Sequence, residues 1–268
     1  MSIYDVNKNY TLGRGKLMFG QFLPGTQRPN GERYLGNSPE LTYTAEQETL
    51  DHYYSDGGIR VKDASVILQQ DYMGNFTLDD INLANMAMFF LGEAQTLSVV
   101  GGPVTDELHS GVRLGFRYQL GTSDTNPQGV RQVSAVTVSK VDTPSPVPLV
   151  AGQDYVVDEA LGAIQLLDGG TLADGDDITV DYTVDASTRD QMISKGQTIE
   201  GSLRYIADNP RGAGQNFDYF MPYVKITPNG DLSMKGDDWM TVPFSIEILK
   251  KGALEAIYID GRPYTPTP

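Results

Sequence analysis

Two histidines and a few groups of acidic residues are the side chains of this chain that could carry out chemistry. His52 and His109 are its only histidines, so a Ser-His-Asp arrangement would have to use one of them. No nucleophile-elbow motif lies beside either histidine, and His52 stands next to Tyr53 and Tyr54. We therefore interpret His52 as a contact residue and not as a catalytic base.

The acidic run at residues 174–177 suggests a calcium site. It holds three aspartates around one glycine, and calcium prefers several oxygen ligands around a tight turn. The run lacks the spacing of an EF-hand and the bidentate glutamate that completes one. An acidic β-turn is therefore the favoured interpretation.

Paired carboxylates could also serve a glycosidase. The candidate pairs are Asp79 with Asp80, and Glu46 with Glu48, which share one face of a predicted strand. Carbohydrate enzymes usually place several exposed aromatic rings beside such acids, whereas Trp239 is the one tryptophan. No HExxH, P-loop or GxGxxG pattern stands in a strand-turn-helix context, and cysteine is absent. The sequence thus predicts no catalytic residue, no metal site and no cofactor, and a protein that is not an enzyme.

The overall charge limits the partners of the chain. Its formal net charge is −15, and so acidic a surface repels phosphate, which argues against sequence-independent binding to nucleic acid or to anionic membranes. There is no apolar run of about 18 residues that could span a membrane. The N-terminal residues show neither a basic region nor an apolar region of a signal peptide. We therefore expect a protein that is made and assembled inside a cell.

The elements that position these side chains centre on residues 40–92. Residues 41–50 and 61–71 alternate and are rich in strand-forming residues, so both are predicted strands, and residues 74–78 are a short third strand. A two-residue turn would connect the first two strands at the least cost, so the longer connection indicates a loop kept for contact. The residues of this loop are Asp51, His52, Tyr53, Tyr54, Ser55, Asp56, Gly57, Gly58, Ile59 and Arg60.

One helix is predicted at residues 83–91. Asp79 and Asp80 are candidate caps, because acids at a helix start bind free N–H groups and favour the positive end of the dipole. Gly92 is a natural stop. Three residues fall on one helical stripe that we expect to cover a sheet. These helix-packing residues are Met86, Phe89 and Phe90.

Charge and turn spacing divide the chain into two domains. Residues 98–187 carry 13 acids and 4 bases, and their short strands follow one another at the spacing of a small β-sandwich. We predict that residues 1–97 and 188–268 form one mainly β domain with one flanking helix. An immunoglobulin-like β-domain at residues 98–187 interrupts it, as insertions at exposed loops are tolerated.

Several motifs resemble the tail tube proteins, also called major tail proteins, of long-tailed, non-contractile bacteriophages. They lie at residues 32–37, 48–53, 82–85, 203–210 and 256–261. The resemblance covers essentially the whole chain, including the insertion with its motif at residues 154–158. It implies two packed antiparallel sheets, a tail-tube-type β-sandwich or barrel, with one helix beside them.

The resemblance also implies a function without catalysis. Six copies would form a ring, and the rings would stack into a tube whose β-barrel lumen lets double-stranded DNA pass without specific binding. The loop at residues 51–60 would reach the adjacent ring, and arms at residues 2–15 and 262–268 would add contacts between rings. Lumen-facing candidates are Glu46, Glu48 and Gln70.

By the same resemblance, the partners are other copies of the chain, a tape measure protein, a tail terminator and baseplate or distal tail proteins. The location is the virion tail, assembled in the host cytoplasm. The alternative function is a carbohydrate- or cell-surface-binding β-sandwich module of a virion or secreted protein. The insertion favours a non-contractile tail, since a contractile sheath would leave it little room. The sequence leaves the ring number, the facing of each strand and the role of the insertion open.

Overall fold

The computed structural model describes residues 11–210 and 215–263 of the chain. The predicted arms therefore lie outside the described residues at positions 2–10 and 264–268. The chain divides into two compact units, which are Met1–Gln95 with Met192–Pro268, and Thr96–Gln191. With 55% of residues in strands and one short helix in the described ranges, the mainly β fold class is confirmed.

The elements in chain order are β1 (Gly15–Gln21), β2 (Arg33–Tyr34), β3 (Glu40–Tyr54), β4 (Val61–Leu78), α1 (Leu83–Phe89), β5 (Gly92–Val99), β6 (Gly102–His109), β7 (Arg117–Gln119), β8 (Val133–Lys140), β9 (Val147–Pro148), β10 (Tyr155–Asp158), β11 (Ala163–Leu166), β12 (Ile178–Val184), β13 (Ser187–Ser194), β14 (Ile199–Ala207), β15 (Gln215–Pro228), β16 (Val242–Ile248) and β17 (Tyr258–Pro263).

The larger unit is built on one eight-stranded antiparallel sheet. Its strand order is β2-β1-β14-β15-β16-β4-β3, and β17 pairs with the other half of β15. Alternation in β16 shows why the sheet has two different faces: Phe244, Ile246 and Ile248 are buried, whereas Glu247 between them is exposed. Hydrogen bonds join these strands into a single sheet, where two packed sheets were predicted. None of the sheets in the described residues closes into a barrel.

This sheet bends toward its apolar face. Tyr43 of β3 stacks on Tyr219 of β15 with ring centroids 6.2 Å apart, although β16 and β4 lie between the two strands. In a flat sheet they would be at least three strand spacings apart, about 14 Å, and further apart along the strands, since the ladder places Tyr43 level with Ile226 and not with Tyr219. The bend lets the edge strand β3 contact the middle of the sheet over a shared core.

The helix α1 covers the apolar face, with boundaries that differ from the prediction. Its N-cap is Asn82, whose side chain accepts a hydrogen bond from Asn85 N at 2.9 Å, and not Asp79 or Asp80. The helix ends at Phe89, and Leu91 takes the left-handed conformation (φ 50°) that was expected of a glycine stop. Because the last turn closes early, part of the predicted apolar stripe moves out of the core.

The predicted helix-packing stripe is accordingly only partly right. Met86 and Phe89 are half-buried against the core, but Phe90 is the C-cap and is exposed. The buried residues of the helix are instead Ala87, Met88 and the polar Asn85. None of these three was predicted to pack there.

Asn85 connects the helix to the chain segment around β2. Its side-chain amide donates to the carbonyls of Leu35 and Asp80, at 2.8 and 2.9 Å, and its carbonyl accepts from Arg33 at 2.9 Å. An unsatisfied buried polar group costs about 1–3 kcal/mol, so we expect Asn85→Ala to lower the free energy of unfolding of the larger unit by about 2–3 kcal/mol. Urea denaturation measures this change. Asn30→Ala, which removes an exposed side chain of the same unit, should change it by less than about 0.5 kcal/mol, and an equal effect of both variants would contradict the prediction.

The smaller unit has two antiparallel sheets around a second core. The sheets are β10-β11-β7 and β6-β12-β8-β9, and buried residues of both, such as Ile164 and Val180, belong to one hydrophobic cluster. This strand order differs from the immunoglobulin order, in which the first, second, fifth and fourth strands share a sheet. The strands β5 and β13 form a separate two-stranded sheet that contains both unit boundaries.

Asp154 is a buried carboxylate of the smaller unit. The backbone N–H groups of Thr171 and Val150 donate to it at 2.5 and 2.7 Å, and these bonds lower the pKa of Asp154. A carboxyl whose pKa is lower in the folded state stabilises the fold at neutral pH. That stabilisation is lost as the pH falls from about 4, the pKa of unfolded aspartate, through the lower folded value.

We therefore expect Asp154→Asn to lower the stability of the smaller unit at pH 7 and to flatten its loss of stability in acid. The measurement is the free energy of unfolding between pH 7 and the acid range below about 4. The matched control is Asp124→Asn, which changes an exposed carboxylate. An acid dependence that Asp154→Asn leaves unchanged would assign the effect to other carboxylates.

Candidate assembly surfaces

The hairpin of β3 and β4 extends far beyond the sheet that holds it. The two strands pair from Glu40 to Tyr54, but β16 pairs with β4 only at Tyr72–Leu78. Residues 46–71 therefore form a two-stranded ribbon, with no third strand beside it in the described part of the chain. At about 3.3 Å per residue, β4 runs about 36 Å past the end of β16. A two-stranded hairpin is marginally stable alone in water, so this ribbon needs another surface to cover it.

The ribbon exposes apolar side chains on both of its faces. Val66, Ile67 and Leu68 are consecutive in β4, and each is more than half exposed. Ile59 at the connection is 80% exposed. Contiguous apolar surface of this kind on a monomer marks an interaction site. The further exposed apolar residues of the ribbon are Leu50, Tyr53, Tyr54 and Val61.

Polar contacts across the ribbon keep its strands in register. Lys62 Nζ lies 2.6 Å from Asp51 Oδ1, and the hydroxyl of Ser65 donates to the same oxygen at 2.7 Å. These two hydrogen bonds, with that from Lys62 the larger, lower the pKa of Asp51. His52 Nδ1 lies 2.5 Å from Asp63 Oδ1. The two acids and their partners hold the strands together and leave the apolar side chains free.

The predicted contact loop is shorter than expected. Strand β3 continues to Tyr54, where Tyr53 pairs with Lys62 and Tyr54 pairs with Val61. Aromatic rings favour strands, and register shifts at Glu48/Thr49 and His52/Tyr53 let the ladder continue. The loop itself is therefore residues 55–60, and residues 51–54 are strand. Residues 74–78 likewise belong to the continuous strand β4 and are not a separate third strand.

The predicted lumen row is also changed by the register. Glu46 lies opposite Asp71 and Glu48 opposite Gln69, whereas Gln70 lies opposite Gln47. Since side chains alternate between faces with a period of two, Gln70 points to the other face from Glu46 and Glu48. Gln69 and Asp71, which pair with Glu48 and Glu46, lie on the same face as these two glutamates and replace Gln70 in the row.

This row belongs to an open polar face of the larger sheet, opposite the face that α1 covers. A shallow depression of about 530 Å³ lies on it. Its polar lining includes Thr44, Glu46, Gln69, Asp71, Asn75, Lys225, Thr227, Ser245 and Glu247. Three of these residues are acids and one is a lysine, so the open face is predominantly acidic.

The predicted arms begin inside the sheet. Gly15 starts β1, and Arg14 accepts a hydrogen bond at its carbonyl from the hydroxyl of Tyr205 at 2.7 Å. At the other end, Arg262 is part of β17 and its Nε donates to Asp218 at 3.0 Å. The prediction that the arm starts at Arg262 is therefore wrong, because this guanidinium is held by an ion pair within the sheet.

The second histidine belongs to a polar network in the smaller unit. Glu107 accepts hydrogen bonds from the Tyr182 hydroxyl at 2.5 Å and from Gly121 N at 2.9 Å. His109 Nε2 lies 3.1 Å from the same carboxylate, without hydrogen-bonding angles. Burial by itself would raise the pKa of Glu107, but the donors around it lower the pKa below its usual range. The carboxylate thus holds the turn at Gly121.

The acidic run 174–177 lies in the turn before β12, and its carboxylates accept backbone hydrogen bonds. Asp174 binds the N–H of Leu114, Asp176 that of Ala173 and Asp177 that of Gly111, each at 2.7–2.8 Å. Across the described ranges, no group of three or more His, Cys, Asp or Glu side chains is arranged to hold a metal ion. No helix in these ranges is long and apolar enough to cross a membrane.

Sequence reasoning missed one exposed element. The connection between β15 and β16, residues 229–241, carries Trp239 with 95% of its surface exposed and Met234 with 65%. The signal in the sequence was a tryptophan directly after two aspartates, within a long connection between two predicted strands. In β4, three consecutive apolar residues were the signal that both faces of the ribbon are contact surfaces.

The model of one protein family, described as protein of unknown function UCP028589, matches residues 10–255 of the chain. The matched range includes the ribbon, the open polar face and the smaller unit. A search of curated proteins finds no match.

Proposed function

The chain belongs to that family of unknown function, and we propose that it is a structural subunit of a bacteriophage tail tube. In this function no bond is broken. Copies of the chain form rings, six to a ring by resemblance, and the rings stack into a conduit for DNA.

The β3–β4 ribbon is the observation that carries this proposal. It is long, it exposes apolar side chains on both faces, and within the larger unit only its base is joined to the sheet. A subunit that stacks on copies of itself needs a projecting element of this kind, since the next copy supplies the cover that the ribbon lacks. The contact is heterologous, so it repeats along an open stack.

The open polar face supports a lumen-lining role. Glu46, Asp71 and Glu247 lie on it with Lys225, and a predominantly acidic lining repels DNA phosphates. Such a lining would let the genome pass without adhering. The sheet edges at β2 and β3 would pair with those of neighbouring subunits, which removes exposed edges by closure.

The remaining assignments follow from the tail-tube function. The tape measure protein, the tail terminator and the baseplate or distal tail proteins are the proposed partners besides the chain itself. The proposed location is the virion tail, after assembly in the host cytoplasm.

Negative-stain electron microscopy of the purified chain at rising concentration tests the proposal, with particle mass measured in parallel. We expect rings and hollow stacked tubes whose mass is a multiple of the ring mass. A chain that remains monomeric at every concentration would count against a tube subunit. Closed dimers without stacking would count against it as well.

A further inference from the structure

The connection between β15 and β16, which we name the Trp239 loop (residues 229–241), has the features of a docking site. It contains the one tryptophan of the chain, almost fully exposed, together with the exposed Met234. Both residues line a shallow depression of about 320 Å³. Tryptophan is enriched among the residues that dominate binding energy at protein interfaces.

The Trp239 loop is mainly acidic, whereas the hairpin tip (residues 53–62) carries one acid, Asp56, and two bases, Arg60 and Lys62. The loop is concave and carries Asp231, Asp237 and Asp238 against one base, Lys235. The tip projects beyond the end of β16, and Ile59 at its end is 80% exposed. Of its two bases, Lys62 binds Asp51 within the ribbon, while Arg60 makes no ion pair with any described residue and lies over the Tyr53 ring at 5.3 Å.

The strand register places these two features at opposite ends of the larger unit. Val242, the first residue of β16 after the loop, pairs with Leu78 at the end of β4, whereas the tip precedes Val61 at the start of β4. At about 3.3 Å per residue, the length of β4 separates them by about 56 Å. One copy therefore cannot bring its own tip to its own loop, but a second copy translated along the strands can.

We infer that the Trp239 loop is the acceptor for the hairpin tip of the next copy of this chain. This inference rests on the proposed tube function and adds the contact that joins one ring to the next. Ile59 of one copy enters the depression beside Met234 and Trp239 of its neighbour. Arg60 then faces Asp238 of the neighbour, which supplies the acidic partner that Arg60 does not have among the described residues of its own copy. Because donor and acceptor differ, the contact is heterologous and repeats without closing.

The fluorescence of Trp239 tests the contact without altering the protein. We expect its emission to shift to shorter wavelength when the full chain assembles, and most of its quenching by acrylamide to be lost. Soluble protein below the assembly concentration is the control, since the indole ring of Trp239 is exposed in the monomer. Tubes in which Trp239 stays as accessible as in the monomer would overturn the inference and leave the tube function intact. Failure of the chain to form any assembly would overturn the tube function as well.

Charge exchange tests the pairing of Arg60 with Asp238. Like charges placed face to face repel, so we expect Arg60→Glu and Asp238→Lys each to raise the concentration needed for assembly by about tenfold. A chain carrying both changes should assemble nearly as the original does. Arg113→Glu, the same charge change at an exposed site in the smaller unit, should assemble normally. If the double variant is no better than the single ones, Arg60 and Asp238 are not partners.

Discussion

A chain that carries Tyr54→Thr and Ile59→Thr is expected to remain monomeric at concentrations at which the original chain forms tubes. Both side chains are exposed at the hairpin tip, Tyr54 by 53% and Ile59 by 80%, so the folded monomer loses few contacts. The stack loses the apolar area that the tip would bury at each ring junction. Since burial contributes about 25 cal/mol per Å² of apolar surface and the contact repeats at every subunit, the loss of assembly should be nearly complete.

Sedimentation velocity and electron microscopy measure this loss of assembly, and thermal unfolding shows whether the monomer is intact. A matched control carries Val100→Thr and Leu161→Thr, which change exposed apolar residues, 90% and 47% exposed, in the smaller unit. The control should form tubes at the original concentration. If the tip variant forms tubes in normal yield, the tip is not needed for assembly and the prediction is wrong. A fall in the unfolding temperature of this variant would show that the tip also stabilises the monomer.

Phe244→Ala should produce the largest loss of stability. The Phe244 ring is fully buried. Its centroid lies 5.0 Å from that of the Phe76 ring and 6.2 Å from that of the Phe89 ring in the helix, which it meets edge-on. Replacing a buried phenylalanine by alanine costs about 3–5 kcal/mol, because burial is lost and a cavity remains. We expect a decrease of that size in the free energy of unfolding of the larger unit.

Urea denaturation followed by circular dichroism measures the effect of Phe244→Ala. The smaller unit has its own hydrophobic core, so its unfolding transition should stay at the same urea concentration. Phe116→Ala, which changes a ring that is 55% exposed in the smaller unit, should cost less than about 0.5 kcal/mol. Loss of both transitions together in Phe244→Ala would show that the two units do not unfold independently.

Local patterns predicted the strands that have one buried face. In β16, alternation places Phe244, Ile246 and Ile248 on the core side, and the structure places them there. The ribbon did not follow this rule, since neither of its faces is buried within the chain. Residues 41–50 and 61–71 were therefore predicted as ordinary alternating strands, and the first was ended at Leu50 although pairing continues to Tyr54.

Positions that depend on pairing could not be read from the sequence. Gln70 was assigned to the same row as Glu46 and Glu48 because the register of β3 against β4 was not known, and one residue of register reverses the face. The choice of Asn82 over Asp79 and Asp80 as cap depends on where the turn after β4 ends. The strand order of the smaller unit depends on contacts between segments far apart in sequence, such as β6 with β12.

The order of the sheet strands along the chain determines which part of the protein can fold first during synthesis. The sheet pairs β1 with β14 and β4 with β16, and the whole smaller unit lies between these partners in sequence. A growing chain on the ribosome therefore exposes β1–β4 long before their partners emerge, while the smaller unit can already fold. Contacts so distant in sequence slow folding. The β3–β4 hairpin consequently joins the sheet only after β16 has been synthesised. An incomplete chain therefore cannot hold the hairpin in the position in which it would bind a neighbouring copy.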